Sequence, residues 1–215
     1  MLIPLLSLMM MTSISAGPTH YRVVPEQSDV FVELKPAKTI LSGLSHRHVI
    51  VAENFSGQVK FDPDDPEACR VDIQVPVKDL VVDPEPKRKA LGFEKKLSDG
   101  DKDEIRKNML KKNQLWADKY ETVRFESVSC VEVEPERFRI RGALTVRGVQ
   151  ADLELPIQVQ FDPEGLRART VFVQVHEDFG FKPYSAALGA LKNDERIRFH
   201  VDIRAIKDPS TERGP

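Results

Sequence analysis

His46 and His48 stand two positions apart, and they are the side chains of this sequence best placed to hold an ion together. On an extended strand such residues project to the same side, so both imidazoles could reach one cation. A zinc site needs at least a third protein ligand. His176 or His200 would have to supply it, and no spacing in the chain brings either one near. The competing reading has one imidazole buried and hydrogen-bonded, with the other structural or exposed. The ligand set is incomplete, so no metal is expected. Asp99, Asp101 and Asp103 match the first three ligands of a calcium loop. That loop also needs Gly at its sixth position and Glu at its twelfth, where this chain has Glu104 and Leu110. These carboxylates therefore read as the acidic start of a helix.

Other chemistry is harder to find. The chain lacks a Gly-x-Ser-x-Gly elbow, a phosphate-binding loop and a dinucleotide fingerprint. No catalytic residue and no cofactor is expected, and the protein reads as a non-enzyme. Lys87, Arg88, Lys89, Lys95, Lys96, Arg106, Lys107, Lys111 and Lys112 could meet a phosphate headgroup or an anionic surface. Acidic residues are interleaved among them, which favours a plain solvated face. Across 215 residues the formal charge is −2, which argues against a nucleic-acid partner.

The elements that must position any site are strands. Apolar residues alternate with polar ones at period two, the signature of a strand with one dry face. In residues 149–161, Val149, Ala151, Leu153, Leu155, Ile157, Val159 and Phe161 share one side. The same pattern sets Phe138, Ile140, Leu144 and Val146 against Arg139 and Arg141. It sets Ile197, Phe199, Val201, Ile203 and Ala205 against Arg198, His200 and Asp202, and Val71, Ile73, Val75 and Val77 against Arg70, Asp72 and Gln74. Residues 28–35, 46–52, 55–61, 122–133 and 168–176 alternate more weakly. Short turns join the runs, notably Arg147-Gly148 and Asp162-Pro163-Glu164-Gly165. Strands so connected predict an antiparallel meander. Closing it into a lipocalin-like barrel of about eight strands buries every dry face and removes the edges. The expected fold class is thus all-β, an extended antiparallel barrel.

Residues 84–114 break the pattern. They read as a helical insertion lying against the barrel, with Ser98 capping a helix over about 101–112 and Asp101 completing the capping box. Ile105, Met109 and Leu110 would form its apolar stripe. Residues 1–19 contain no Asp, Glu, Lys or Arg. Residues 1–16 resemble a secretory signal peptide that lacks a basic start, against the alternative of a disordered or buried extension. The run is too short to span a bilayer. Residues 20–207 would form the barrel and 208–215 a disordered tail. The two cysteines, Cys69 and Cys130, would pair readily in an exported chain. Strand phase opposes this: Cys69 shares parity with Val71 and Ile73, whereas Cys130 lies opposite Val123 and Phe125 and should face outward. Two unpaired thiols compete equally.

Several motifs, in order along the chain, resemble one family. Gln27-Ser28-Asp29-Val30-Phe31 is similar to its opening strand, and Gly43-Leu44-Ser45-His46-Arg47-His48 to its histidine-bearing segment. Phe55-Ser56-Gly57, Arg106-Lys107-Asn108-Met109-Leu110, Leu115-Trp116-Ala117-Asp118-Lys119-Tyr120 and Asp178-Phe179-Gly180 follow at matching intervals. The most specific is Gly142-Ala143-Leu144-Thr145-Val146-Arg147-Gly148, a Gly-x-Leu-Thr-x-x-Gly hairpin. Over roughly 21–206 the chain resembles the YceI-like, polyisoprenoid-binding family. It departs from the family in having Asn108 for an Asp, Thr122 for a Pro, and a longer tract over residues 84–103.

The resemblance implies a barrel that holds a long isoprenoid or similar lipid, usually in a periplasmic protein. On this reading the chain is an exported carrier without stable membrane insertion, and a homodimer is compatible with it. Phe31, Phe125, Leu144, Ile157, Phe172 and Phe199 would line the channel. His46 or His48 would orient a polar head, and Phe179 and Phe181 would gate the mouth. The alternatives are a packed barrel whose charged insertion docks a partner, and a metal-assisted enzyme at His46 and His48.

Overall fold

The computed structural model describes residues 17–38 and 46–210. The proposed leader (residues 1–16) and residues 211–215 lie outside them. The strands are β1 Thr19–Val23, β2 Asp29–Pro36, β3 His48–Ala52, β4 Ser56–Phe61, β5 Arg70–Pro76 and β6 Leu80–Val82. After helices α1 Glu85–Ala90 and α2 Asp99–Leu110 come β7 Thr122–Glu134, β8 Arg137–Val146, β9 Val149–Asp162, β10 Gly165–Val175, β11 Ser185–Ala186 and β12 Leu191–Lys207.

Eight of these strands close a ring in the order β1-β4-β5-β7-β8-β9-β10-β12, with β12 returning to β1. All its pairings are antiparallel. From β12 the sheet also continues through β2, β3 and β6. β12 serves both branches because it is 17 residues long: its end pairs with β1 at Ala205–Lys207, and its middle pairs with β2. This is the lipocalin-like barrel that the period-two pattern predicts.

Turn chemistry fixes the longest hairpin. β8 and β9 pair from Arg137↔Gln158 to Val146↔Val149. The two residues between them, Arg147 and Gly148, have φ of 53° and 72°, the primed conformation that matches strand twist. Gly148 is required there twice over, since a Cβ would also meet the Tyr120 ring at 2.7 Å.

The ladder between β9 and β10 is short, running only from Asp162↔Gly165 to Gln158↔Arg169. Pro156, which has no N–H to donate, lies where the strands part, and Thr170 Oγ1 donates to its carbonyl at 2.8 Å. The 3-10 turn His176–Phe179 packs against β9 beyond that point.

The phase expected for Cys130 is corrected. Cys69 and Cys130 form a disulfide with Cα atoms 5.5 Å apart, and Cys130 is fully buried. The β7–β8 register shifts between Ser127 and Ser129. This bulge adds one residue and reverses the parity of everything beyond it. Val128 is thrown outward at 66% exposure, so odd-numbered residues face inward before the bulge and Cys130 faces inward after it. The helix of the insertion starts two residues earlier than expected and stops at Leu110. Ser98 Oγ accepts from the Asp101 N–H (3.1 Å) and Asp101 Oδ2 accepts from the Ser98 N–H (2.9 Å), forming the capping box. Asp101 is thereby committed to the helix start. Among the described residues no helix is long and apolar enough to cross a membrane.

Candidate functional site

The inward side chains form two clusters joined end to end. One holds Phe61, Phe138, Val159, Ile203 and the disulfide; the other holds Leu144, Leu155, Phe179, Phe181 and Ile197; Phe125 and Ile157 touch both. They leave a cavity of about 370 Å³ between them, within the range of small-molecule sites. Its walls are mostly aliphatic and aromatic. Phe61 stacks on Phe161 at 5.0 Å and meets Phe138 edge-on at 5.7 Å. Phe172 and Phe199, cross-strand partners, stack at 4.7 Å. Ile105 and Met109 of α2 complete the wall, so two residues of the proposed helical stripe turn toward the barrel interior.

Of the residues singled out above, Phe125, Leu144, Ile157, Phe172, Phe179, Phe181, Phe199 and His48 line this cavity. Phe179 is wholly buried and Phe181 nearly so, which places both in the packed wall. His46 is not among the lining residues. Phe31 borders the cavity, but its ring belongs to a separate outer cluster with Val49, Val51 and Phe93. That ring stacks on His200 at 4.4 Å and carries Lys87 Nζ 3.7 Å from its centre. The neighbours Val30, Val32 and Leu34 supply the β2 wall instead. The reason is pleat: Phe31 pairs with His200, an outward position of β12.

His48 is fixed by a network that the sequence did not reveal. Its Nδ1 lies 2.7 Å from Asp83 Oδ2. Asp83 Oδ1 accepts from the Val49 N–H at 3.0 Å and from Arg88 Nη1 at 2.7 Å. Both Asp83 and Arg88 are buried. Arg88 further donates to the carbonyls of Arg47 and Lys95, pinning the loop after α1 to β3. Burial pushes the Asp83 carboxyl up; His48, the Val49 N–H and Arg88 outweigh it and hold the pKa below the usual value. Nothing in the run Lys87-Arg88-Lys89 marks the middle residue as the buried one. Only its place on the inner side of a six-residue helix does.

The other histidines are used elsewhere. His176 Nδ1 sits 2.7 Å from the Glu195 carbonyl oxygen, and His200 Nε2 sits 2.7 Å from Glu33 Oε1. The His46 and His48 rings are 6.3 Å apart. Among the described residues no three His, Cys, Asp or Glu side chains gather where a metal could be held.

A family model described as a YceI-like domain matches residues 21–205. No curated protein sequence matches the chain. In structure the chain is similar to Burkholderia cenocepacia BcnA (TM-score 0.63, 15% identity), covering 84% of this chain and 98% of that one. It is also similar to the Campylobacter jejuni YCEI protein (TM-score 0.54, 14% identity), over 74% of this chain and 84% of that one. A mutant of the latter, crystallised with a monobromobimane guest, gives a TM-score of 0.55 at 14% identity and the same coverage. At these identities the likeness speaks for the fold alone.

Proposed function

The chain belongs to the YceI-like family, and on that premise we propose that it binds a long apolar lipid of isoprenoid type inside its barrel and carries or sequesters it without chemical change. The single observation that supports this is the continuous apolar cavity reaching from the disulfide, through both side-chain clusters, to α2. Each methylene moved there from water contributes about 0.8 kcal/mol, so chain length alone can supply tight binding. The charged insertion contributes Ile105 and Met109 to the same wall, which fits a lipid site better than a docking module. Export is part of the proposal. The uncharged residues 1–19 and the Cys69–Cys130 disulfide both support it, since such bonds persist in oxidising compartments.

The test is native mass spectrometry of the detergent-free protein together with lipid extraction. A stoichiometric long-chain lipid is expected. Val201, on the cavity wall midway along β12, offers the control. Val201→Phe should fill the space and reduce loading while the protein stays folded. An apo mass that persists after incubation with polyprenols would defeat the proposal.

A further inference from the structure

The cavity end beside α2 is framed by two segments, residues 105–117 and 179–193. Contacts join them there: Asn108 Nδ2 donates to the Tyr184 hydroxyl at 3.2 Å, and Gln114 Nε2 donates to the Lys182 carbonyl at 3.2 Å. Asn108, Gln114 and Tyr184 line the cavity and are only half-buried, so this end of the cavity meets solvent.

Both segments are basic. Residues 105–117 contain Arg106, Lys107, Lys111 and Lys112, residues 179–193 contain Lys182 and Lys192, and neither segment contains an Asp or a Glu. Arg106 is spent on the Lys78 carbonyl. Lys111 Nζ donates to Asn108 Oδ1 at 2.7 Å, and Lys112 Nζ lies 5.0 Å from the centre of the Trp116 ring. Arg147 joins the same rim, donating from Nη2 to the Lys112 carbonyl at 3.2 Å. The acids that bound the two segments are Glu104, Asp118, Asp178 and Asp194. Asp118 and Asp194 pair with Lys78 and Arg196, and Asp178 accepts from the Val175 N–H. Glu104 is exposed on α2, roughly two helical turns before Lys111.

The same rim holds apolar side chains outward. β11 pairs with β12 at Ser185↔Lys192 and Ala186↔Leu191, and the tip between them carries Leu188 at 110% exposure. Ala187, Leu188 and Gly189 are all left-handed, at φ 48°, 53° and 92°, a conformation that Gly adopts freely and other residues adopt with strain. Leu188 thus brings the fold neither burial nor a relaxed backbone, and strain held at an exposed position points to a use outside folding. Val149, 39% exposed, adjoins Gly180. Trp116 is half-buried, with Lys112 and Lys119 against its ring.

We propose that this rim docks reversibly on an anionic lipid bilayer, Leu188 entering the interface while Lys111, Lys112, Lys182 and Lys192 meet phosphate headgroups. Lysines around an exposed aliphatic tip and an indole match such a surface in both charge and polarity. The inference rests on the carrier reading for its purpose alone: docking sets the cavity end against the bilayer that supplies or receives the lipid.

The test is co-sedimentation of the full chain with phosphatidylcholine vesicles, with and without phosphatidylglycerol. Binding should require phosphatidylglycerol and weaken as salt is added. Leu188→Asn removes the apolar tip and suits the left-handed backbone better, so the variant should stay folded. It should bind roughly ten-fold more weakly, the worth of one buried leucine. Lys182→Gln with Lys192→Gln should weaken binding several-fold. Residues 1–16 are common to parent and variants, so any contribution from them cancels in these ratios. Equal binding to both vesicle types, no binding to either, or a Leu188→Asn variant that binds like the parent overturns the docking face. So does a concentration-dependent dimer that Leu188→Asn abolishes, which would assign the tip to a second copy of the chain. Docking by a protein that loads no lipid in native mass spectrometry defeats the carrier reading and leaves the docking face standing, and loading without docking does the reverse.

Discussion

At the scale of single residues, the most constrained side chain is Asp83. It is buried with Arg88, the two sharing a 2.7 Å contact, and it orients His48 at the cavity wall. Its backbone is left-handed, at φ 49°, a conformation that Asn tolerates better than most residues. Asp83→Asn therefore isolates the charge. It should destabilise the fold by about 3–5 kcal/mol, because Arg88 is left buried without its counter-ion, and urea unfolding would measure this. The pair Asp83→Asn with Arg88→Met should recover part of the loss; a loss that simply adds would show that the two residues do not act together. Since the folded pKa of Asp83 lies below its usual 3.8, its contribution is complete above that value. It is lost as pH falls through the lower folded value.

At the scale of elements, the β7 bulge decides the covalent structure. Val128 is the residue that the ladder skips; counted as a regular strand position it would turn Cys130 to solvent and leave Cys69 without a partner. Deleting Val128 should therefore make Ser127 and Ser129 consecutive ladder positions and keep Cys130 facing inward, so that the folded variant, like the parent, has no titratable thiol. The closed loop spans 61 positions, so removing the bridge itself by Cys130→Ala should cost roughly 2–4 kcal/mol on chain-entropy grounds. A folded Val128 deletion that exposes two thiols would show that the bulge does not set the phase. Gly142 plays a smaller part in the same wall. A Cβ there would meet the Phe125 ring at 2.7 Å, so its absence lets Phe125 lie flat across the barrel beside Leu144, its cross-strand partner.

At the scale of the whole molecule, the barrel's histidines make its stability pH-dependent. Burial lowers the pKa of His176, and it also lowers that of His200, where Glu33 pulls the other way without prevailing. Both folded values lie below 6.5, so around and below that pH the unfolded chain binds more protons than the folded one. Their contribution is complete above 6.5 and declines as pH drops through the interval beneath it. The urea midpoint should fall between about pH 7.5 and about pH 5, with a shallower fall in His176→Gln. An unchanged slope in that variant would assign the effect to other groups.

Much of this was legible in the sequence because strand periodicity is local. Alternation in residues 149–161 and 197–205 placed Leu155, Ile157, Phe199 and Val201 on the inner face before any partner strand was known. Ser98 and Asp101 announced their helix from three residues of spacing, and Arg147-Gly148 announced its turn. What stayed hidden depends on pairing between distant segments. A bulge is defined only against its partner strand, so alternation alone puts Cys130 on the wrong face. Phe31 alternates regularly, but its side of the sheet follows from its pairing with His200, and that side faces α1. Arg88 looks like its neighbours until a six-residue helix turns it toward Asp83. The hollow itself belongs to this class. Apolar faces specify that a barrel has an interior, and only the tertiary arrangement of those faces decides whether side chains fill it or leave room for a guest.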